Sequence, residues 1–247
     1  MSPILSEKIP GGHRPPEGAV LYAVGDIHGR SDLLDRLHGA ILRDAAERRA
    51  RRRVVVYLGD YIDRGFDSSG VIARLAGGDS PLGAAGFERH FLLGNHDQFL
   101  LDVLDGDGGA LDHWLMNGGA AALASYRVAA DDPAGLRDRI ARALPPAHLA
   151  FFRALKLHHR EDGILFVHAG VRPGVPLADQ SRADMLWIRE EFLDSESDFG
   201  GLVVHGHSTV PMPVVRPNRV DVDTGAWRSG RLTAAVFEGD ELAFLHT

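Results

Sequence analysis

The sequence predicts an α/β fold in which a mainly parallel sheet, backed by helices, is joined by a second group of strands. Three observations carry that reading. Over the first hundred residues, apolar runs of strand length alternate with stretches of helical periodicity, the β-α-β-α-β-α order of layered α/β folds. The last third returns to strands. Between them, from Asp105 to about Leu155, the chain is helical and rich in Ala and Leu, which reads as an insertion within one domain spanning residues 19–247. The length of 247 residues is enough for one such domain.

The elements follow in order. Met1 to Gly18 is rich in Pro and Gly and has no apolar core of the kind a secretion signal needs, so it is expected to be a flexible leader. Ala19–Val24 is the first strand. Ser31 offers a helix N-cap, and Leu33, Leu34, Leu37, Ala40 and Ile41 then recur at helical spacing. Val54–Leu58 is a β-branched run of buried-strand type, a helix is expected near Ser69–Leu75, and Phe91–Leu93 forms a third strand before a helix over Gln98–Leu104. In the insertion, Asp112–Ser125 reads as a helix interrupted by Asn117-Gly118-Gly119, and Asp131–Leu155 as two helical pieces split at Pro145-Pro146. The closing strands are Ile164–Val167, Leu202–Val204, Val220–Val222, Leu232–Phe237 and Leu242–Leu245, the last two joined as a hairpin by Glu238-Gly239-Asp240. Strands this late in the chain suggest a second sheet packed on the first.

Composition narrows the function. Hydrophobic residues make up 45% and charged residues 25%, ordinary for a globular protein, and no apolar run reaches the length of a membrane span. A net charge of −7 argues against a nucleic-acid-binding surface. The one basic cluster, Arg48, Arg49, Arg51, Arg52 and Arg53, reads as a solvated helix C-terminus whose cations suit the helix dipole. With no cysteine, disulfides, thiolate metal sites and cysteine-based phosphatase chemistry are all excluded. That absence fits a reducing compartment, and the expected location is cytoplasmic, with neither nucleic acid nor membrane as partner.

The chemistry gathers in five short segments that each end an apolar run: Gly25-Asp26-Ile27-His28-Gly29, Gly59-Asp60-Tyr61-Ile62-Asp63-Arg64-Gly65, Gly94-Asn95-His96-Asp97, Val167-His168-Ala169-Gly170 and His205-Gly206-His207. Their side chains project from strand ends. Asp26 and His28, two apart in extended chain, share a side and suit one cation. Asp60 has two oxygens with which to bridge two cations. Asn95, His168 and a histidine of the His205/His207 pair complete a second site. Carboxylate, imidazole and amide donors suit manganese, iron or zinc better than calcium. Two such ions can share a water, lower its pKa to give a hydroxide nucleophile, and offset charge on a phosphoryl group, which is hydrolysis of a phosphate ester without a phosphoenzyme. A leaving alkoxide then needs a proton. His96, beside Asn95 but not required as a ligand, is the best general acid, with Asp63 to hold its ring. The fork of Arg64 suits phosphate oxygens. The remaining histidines, His13, His38, His90, His113, His148, His158, His159 and His246, have no such setting and read as surface or core residues.

At these residues the chain resembles the phosphoprotein phosphatases, the serine/threonine-type branch of the calcineurin-like metallophosphoesterases, and its bacterial members most closely. Gly25–Gly29, Gly59–Gly65 and Gly94–His96 match three signature motifs, and the likeness runs from about Val20 to Leu245. The resemblance implies a two-sheet sandwich flanked by helices and a di-metal centre usually active with manganese. It implies Asp26, His28 and Asp60 as ligands of one ion, and Asp60, Asn95, His168 and His207 as ligands of the other. His96 and Asp63 match the proton-donor pair, and Arg64 a phosphate-binding arginine. Leu186-Trp187-Ile188-Arg189-Glu190 resembles a bacterial segment that supplies a second phosphate-binding arginine, here Arg189. His205 is expected behind the ligands if its strand continues. Trp114 and Asn117-Gly118-Gly119 resemble a segment near the substrate cleft. The third motif ends in Asp97, where protein phosphatases usually carry Glu and the symmetrical diadenosine tetraphosphate hydrolases carry Asp; Asp63-Arg64 points back to the protein phosphatases. The expected function is therefore hydrolysis of phosphoserine or phosphothreonine in a protein or peptide. The alternatives are a dinucleoside polyphosphate hydrolase with the same centre, and a non-catalytic phosphoprotein-binding pseudophosphatase, which should have lost ligands or the proton donor.

Overall fold

The computed structural model describes residues 4–77, 80–130 and 135–247. Eleven strands form two sheets among these residues: β1 (Ile4–Lys8), β2 (Ala19–Val24), β3 (Arg52–Tyr57), β4 (Glu88–Phe91), β5 (His158–Glu161), β6 (Ile164–Val167), β7 (Leu202–His205), β8 (Val214–Val215), β9 (Arg219–Asp221), β10 (Thr233–Glu238) and β11 (Glu241–His246). The first sheet has the order β1-β11-β10-β2-β3-β4 and the second β5-β6-β7-β9-β8. Each has a run of three parallel strands, β2-β3-β4 at one side of the first sheet and β6-β7-β9 in the middle of the second, with antiparallel strands beside it. The parallel runs matter for function, because they bring several strand C-termini to one edge.

Side-chain alternation explains the sandwich. Along β2, Leu21 and Ala23 face the second sheet while Val20, Tyr22 and Val24 face helices. The same division puts Val54 and Val56 of β3, Ile164 and Phe166 of β6, Leu202 and Val204 of β7, and Ala235 and Phe237 of β10 into one layer between the sheets. The helix over Ser31–Glu47 covers the outer face of the first sheet with the leucine and isoleucine stripe read from the sequence. Met185, Ile188 and Phe192 cover Leu165, Val167 and Val203 on the outer face of the second. Phe166 and Phe237 meet edge to face across the middle layer, their centroids 6.4 Å apart. Truncating Phe166 to Ala should cost about 3–5 kcal/mol of stability. Urea unfolding would show this as a lower midpoint at unchanged slope, and a loss under about 1 kcal/mol would mean that the layer repacks.

The structure departs from the sequence reading in several places. Within the segment expected to be a loose leader, Ile4–Lys8 pairs antiparallel with β11. Ser31 is the first residue of its helix instead of the cap; its hydroxyl donates to Asp67, which caps the helix over Ser68–Ala76 by accepting the Gly70 N–H. The third strand lies earlier than expected, at Glu88–Phe91, and Leu92 makes an isolated parallel bridge to Lys156 that joins the two sheets at one seam. Strands β5 and β8 had no apolar alternation to reveal them: His158-His159-Arg160-Glu161 is polar, and Val214–Val215 is only two residues long. The insertion is helical as read, with a wide π turn over Leu115–Gly119 that accommodates Gly118 at φ 104°. Residues 131–134, where its second half was expected to begin, lie outside the described residues.

Candidate metal centre

All five segments lie at the C-terminal ends of the parallel strands. Asp26 follows β2, Asp60 follows β3, His168 follows β6, His207 follows β7, and Asn95 opens the helix over Asn95–Asp105. Seven described non-glycine residues have positive φ, and five of them belong here: His28, Asp60, Asp63, Arg64 and His207. Left-handed backbone costs such residues energy and persists where the surroundings over-determine it, as at functional sites. Packing leaves no slack around them. A Cβ on Gly94 would sit 2.1 Å from Asp60 Oδ1, and one on Gly206 would sit 2.1 Å from Asp26 Oδ1.

Two tight groups of donor atoms share Asp60. His28, Asp60 and His96 each place one possible ligand atom within 4.8 Å of the others, and so do Asp60, His168 and His207. The ring orientations test whether a cation fits. His168 Nδ1 lies 2.8 Å from the Leu58 carbonyl, so its proton belongs there and Nε2 carries a lone pair. That lone pair faces Asn95 Oδ1 at 2.9 Å and Asp60 Oδ1 at 3.4 Å, both acceptors. His207 Nδ1 meets the same Asn95 oxygen at 2.9 Å. His28 repeats the pattern: Nδ1 is held by the Ile62 carbonyl at 2.8 Å, and Nε2 faces Asp60 Oδ2 at 3.4 Å. At His168 Nε2, acceptors crowd onto acceptors in a buried site, which a divalent cation resolves; His28 Nε2 has Arg64 Nη1 as a donor and would exchange that bond for an ion, so the residues fit one.

Electrostatics point the same way. Burial drives His28 down to about 3 and His207 to about 2, and lowers His168, which keeps these imidazoles neutral as ligands must be. Asp26 is pushed well above the carboxylate range by burial and then by Asp223 and Asp60. For Asp60, burial acts upward, and His168, His96, His28 and His207 pull the carboxyl below its usual range only where they carry a proton, a role that a bound cation takes over when the rings are neutral ligands. Three buried carboxylates of one sign, Asp26, Asp60 and Asp223, make a strongly cation-attracting pocket.

His96 is oriented by the insertion. Its Nδ1 lies 2.6 Å from Asp63 Oδ2, and the Trp114 indole N–H donates to both Asp63 oxygens at 2.9 and 2.8 Å. His96 Nε2 is thereby turned inward, 4.0 Å from Asp60 Oδ2. Trp114 is thus a core residue and a support of the site at once. In Trp114→Phe the ring is largely kept and the N–H is lost, leaving a buried Asp63 short of a donor. About 1–3 kcal/mol of stability should be lost, with kcat down about tenfold and metal content unchanged; a kcat equal to wild type would remove Trp114 from the site.

Arg64 stands at the rim. Its backbone N–H donates to Gly118, Nη1 donates to His28 Nε2 at 3.1 Å, and the guanidinium lies over the Trp227 ring at 5.5 Å. Arg189 reaches Ser208, next to His207, with an Nη1–Oγ distance of 3.2 Å. Arg64, Met116, Asn117, Gly118, Thr209, Trp227 and Arg228 line a groove of ≈ 520 Å³ beside the centre.

Three residues change standing. His205 does not lie behind the ligands: the strand ends there, His207 turns at φ 65°, and the His205 ring packs edge-on against Phe192 at 5.0 Å on the far side of β7. Asp97 does not face the groove. It is fully buried and accepts the N–H groups of Asp60, Tyr61 and Gly94 at 2.9, 3.1 and 3.0 Å, tying two site loops together. Asp223 was missed. Buried against Asp26 and held by Gly225 N–H and the Thr209 hydroxyl, it follows the apolar run Val220–Val222 and precedes Thr224-Gly225. That is the same strand-end signal that marks the other five segments.

Residues 19–233 match the family described as Calcineurin-like phosphoesterase. The chain is 29% identical over 223 residues to serine/threonine-protein phosphatase 1 of Salmonella typhimurium, covering 87% of this chain and 90% of that protein. It is 32% identical over 160 residues to the symmetrical bis(5'-nucleosyl)-tetraphosphatase of Acidovorax sp., covering 62% of this chain but 44% of that protein. Among solved structures, a protein provisionally named a diadenosine tetraphosphatase shares the fold with a TM-score of 0.62 and 22% identity, over 94% of this chain and 95% of that one.

Proposed function

The chain belongs to the calcineurin-like phosphoesterases, a di-metal-dependent hydrolase family, and on that premise we propose that it is a protein serine/threonine phosphatase, with manganese as the working metal and iron or zinc as substitutes. One observation carries the choice of substrate: the likeness to a serine/threonine phosphatase runs nearly end to end in both proteins, whereas the likeness to the tetraphosphatase covers under half of the latter. The rim supports it. Phe66, Met116, Trp187 and Trp227 are exposed; Trp227 and Phe66 lie under Arg64 and Arg30 respectively, and Trp187 meets His207 edge-on at 6.1 Å. Apolar side chains beside cations suit a peptide around a phosphorylated residue.

The residues divide the work. Asp26, His28 and Asp60 would hold one ion, and Asp60, Asn95, His168 and His207 would hold the other. When bound, the ions supply Lewis-acid chemistry, activating water and offsetting phosphoryl charge. Arg64 and Arg189 grip the remaining phosphate oxygens. His96, fixed through Nδ1 by Asp63, presents Nε2 to the leaving oxygen and gives it a proton.

The 32% identity to the tetraphosphatase keeps a second reading, a dinucleoside polyphosphate hydrolase. Hydrolysis of an aryl phosphate with and without manganese should show metal-dependent turnover, and its absence in both would sink the enzyme reading in favour of a phosphoprotein-binding one. In direct competition a phosphoserine peptide should then be preferred to diadenosine tetraphosphate; a large preference for the dinucleotide reverses the assignment.

A further inference from the structure

We propose that His90, His159 and Glu161 form an additional divalent-cation site, of zinc type, at the seam where the two sheets meet. His90 stands on β4, the edge of the first sheet, and His159 and Glu161 stand two apart on β5, the edge of the second, so the latter two share a face. The bridge between Leu92 and Lys156 draws the two edges together. As a result one donor atom from each of the three side chains lies within 4.8 Å of the others. The imidazoles stack with centroids 3.7 Å apart, and His159 Nε2 lies 2.8 Å from Glu161 Oε1. His90 Nε2 is buried and has no hydrogen-bond partner.

The surroundings prepare the carboxylate. Arg52 places its fork on Glu161, Nη1 to Oε2 at 2.6 Å and Nη2 to Oε1 at 2.9 Å, while its Nε and Nη2 also hold Glu88. Glu88 offsets the guanidinium charge, so the charge of Glu161 is left to attract a cation, and a carboxylate with about four acceptor positions can serve Arg52 and an ion together. Lys156, next to the seam, opposes a cation and makes this site weaker than the candidate metal centre. Two imidazoles and a carboxylate, with a fourth position for water, are a donor set that zinc takes. Binding exchanges the His159–Glu161 hydrogen bond for two bonds to the ion. Because the ligands come from both sheets, an ion here clamps the sandwich.

Zinc bound per chain, measured by elemental analysis after metal stripping and dialysis against zinc, tests the site independently of turnover. Wild type should hold one equivalent more than His90→Ala and His159→Ala, and both variants should keep wild-type aryl phosphatase activity. Equal zinc in all three overturns the proposal. The same comparison in a background lacking His168 and His207 reads the seam alone. There zinc should raise the unfolding midpoint by on the order of 5 °C at saturation, and His90→Ala should abolish the shift. A midpoint that zinc does not move would show His159 and Glu161 to be only a hydrogen-bonded tie.

Discussion

His96→Asn is expected to lower kcat toward an alkyl phosphate ester by about 10²–10⁴-fold while the protein keeps its full complement of bound metal. The argument rests on how the imidazole is held. Asp63 takes Nδ1 at 2.6 Å, and Trp114 fills the other bonds of that carboxylate, so only Nε2 faces the site. Burial raises Asp63 above the usual carboxylate range, with His96 and Trp114 pulling it back down. A general acid matters most when the leaving group is poor. The loss should shrink markedly with p-nitrophenyl phosphate, whose leaving group needs little help, and comparing the two substrates separates proton donation from general damage. The prediction is exposed, because His96 also lies within ligand reach of Asp60 and His28. Loss of metal in the variant, or an equal loss of rate on both substrates, would make His96 a ligand and leave the leaving group without a donor.

Much of the layout is legible in the sequence because β-branched runs and glycine-flanked polar residues are local signals. Val54–Val56 and Ile164–Phe166 announce buried strands, and the Asp, Asn and His after such runs announce strand-end chemistry. Reading the same signal at Val220–Asp223 would have found Asp223. What is not legible depends on contacts distant in sequence. Nothing near Asp97 shows that its carboxylate collects N–H groups from the Asp60 loop, 37 positions away in one case. Nothing near Trp114 shows that its indole meets Asp63, and the polar strand β5 is visible only once β6 pairs with it. Strand spacing leaves His205 and His207 equivalent and only the motif resemblance favours His207; the left-handed turn at His207 is what separates it from a residue packed under Phe192.

Asp60→Asn is expected to abolish metal-dependent behaviour while leaving the metal-free fold nearly as stable as wild type. Asp60 is the one residue common to both donor groups, with Oδ1 near His168 and Oδ2 near His28. An amide keeps the shape but loses the charge, and its NH₂ meets one set of imidazoles where an oxygen should be. Losing Lewis-acid stabilisation worth several kcal/mol should lower kcat by at least about 10³-fold. The metal-free protein responds differently. Removing one of three clustered carboxylates relieves Asp26 and Asp223, both raised in part by the Asp60 charge. That relief offsets the loss of the anion, and the bond that Asp60 Oδ1 accepts from the His96 backbone N–H is one an amide oxygen also accepts. The loop itself is held by Asp97 through the backbone N–H of residue 60, which the substitution leaves in place. Thermal unfolding should therefore give similar midpoints for the two proteins in chelator, and a rise with manganese in wild type alone. If the variant keeps both the manganese-dependent rise and its turnover, Asp60 is not the bridge and the two groups are not one centre. If instead it unfolds far earlier in chelator, the carboxylate is structural, and its place between the donor groups is a consequence of folding and not its purpose.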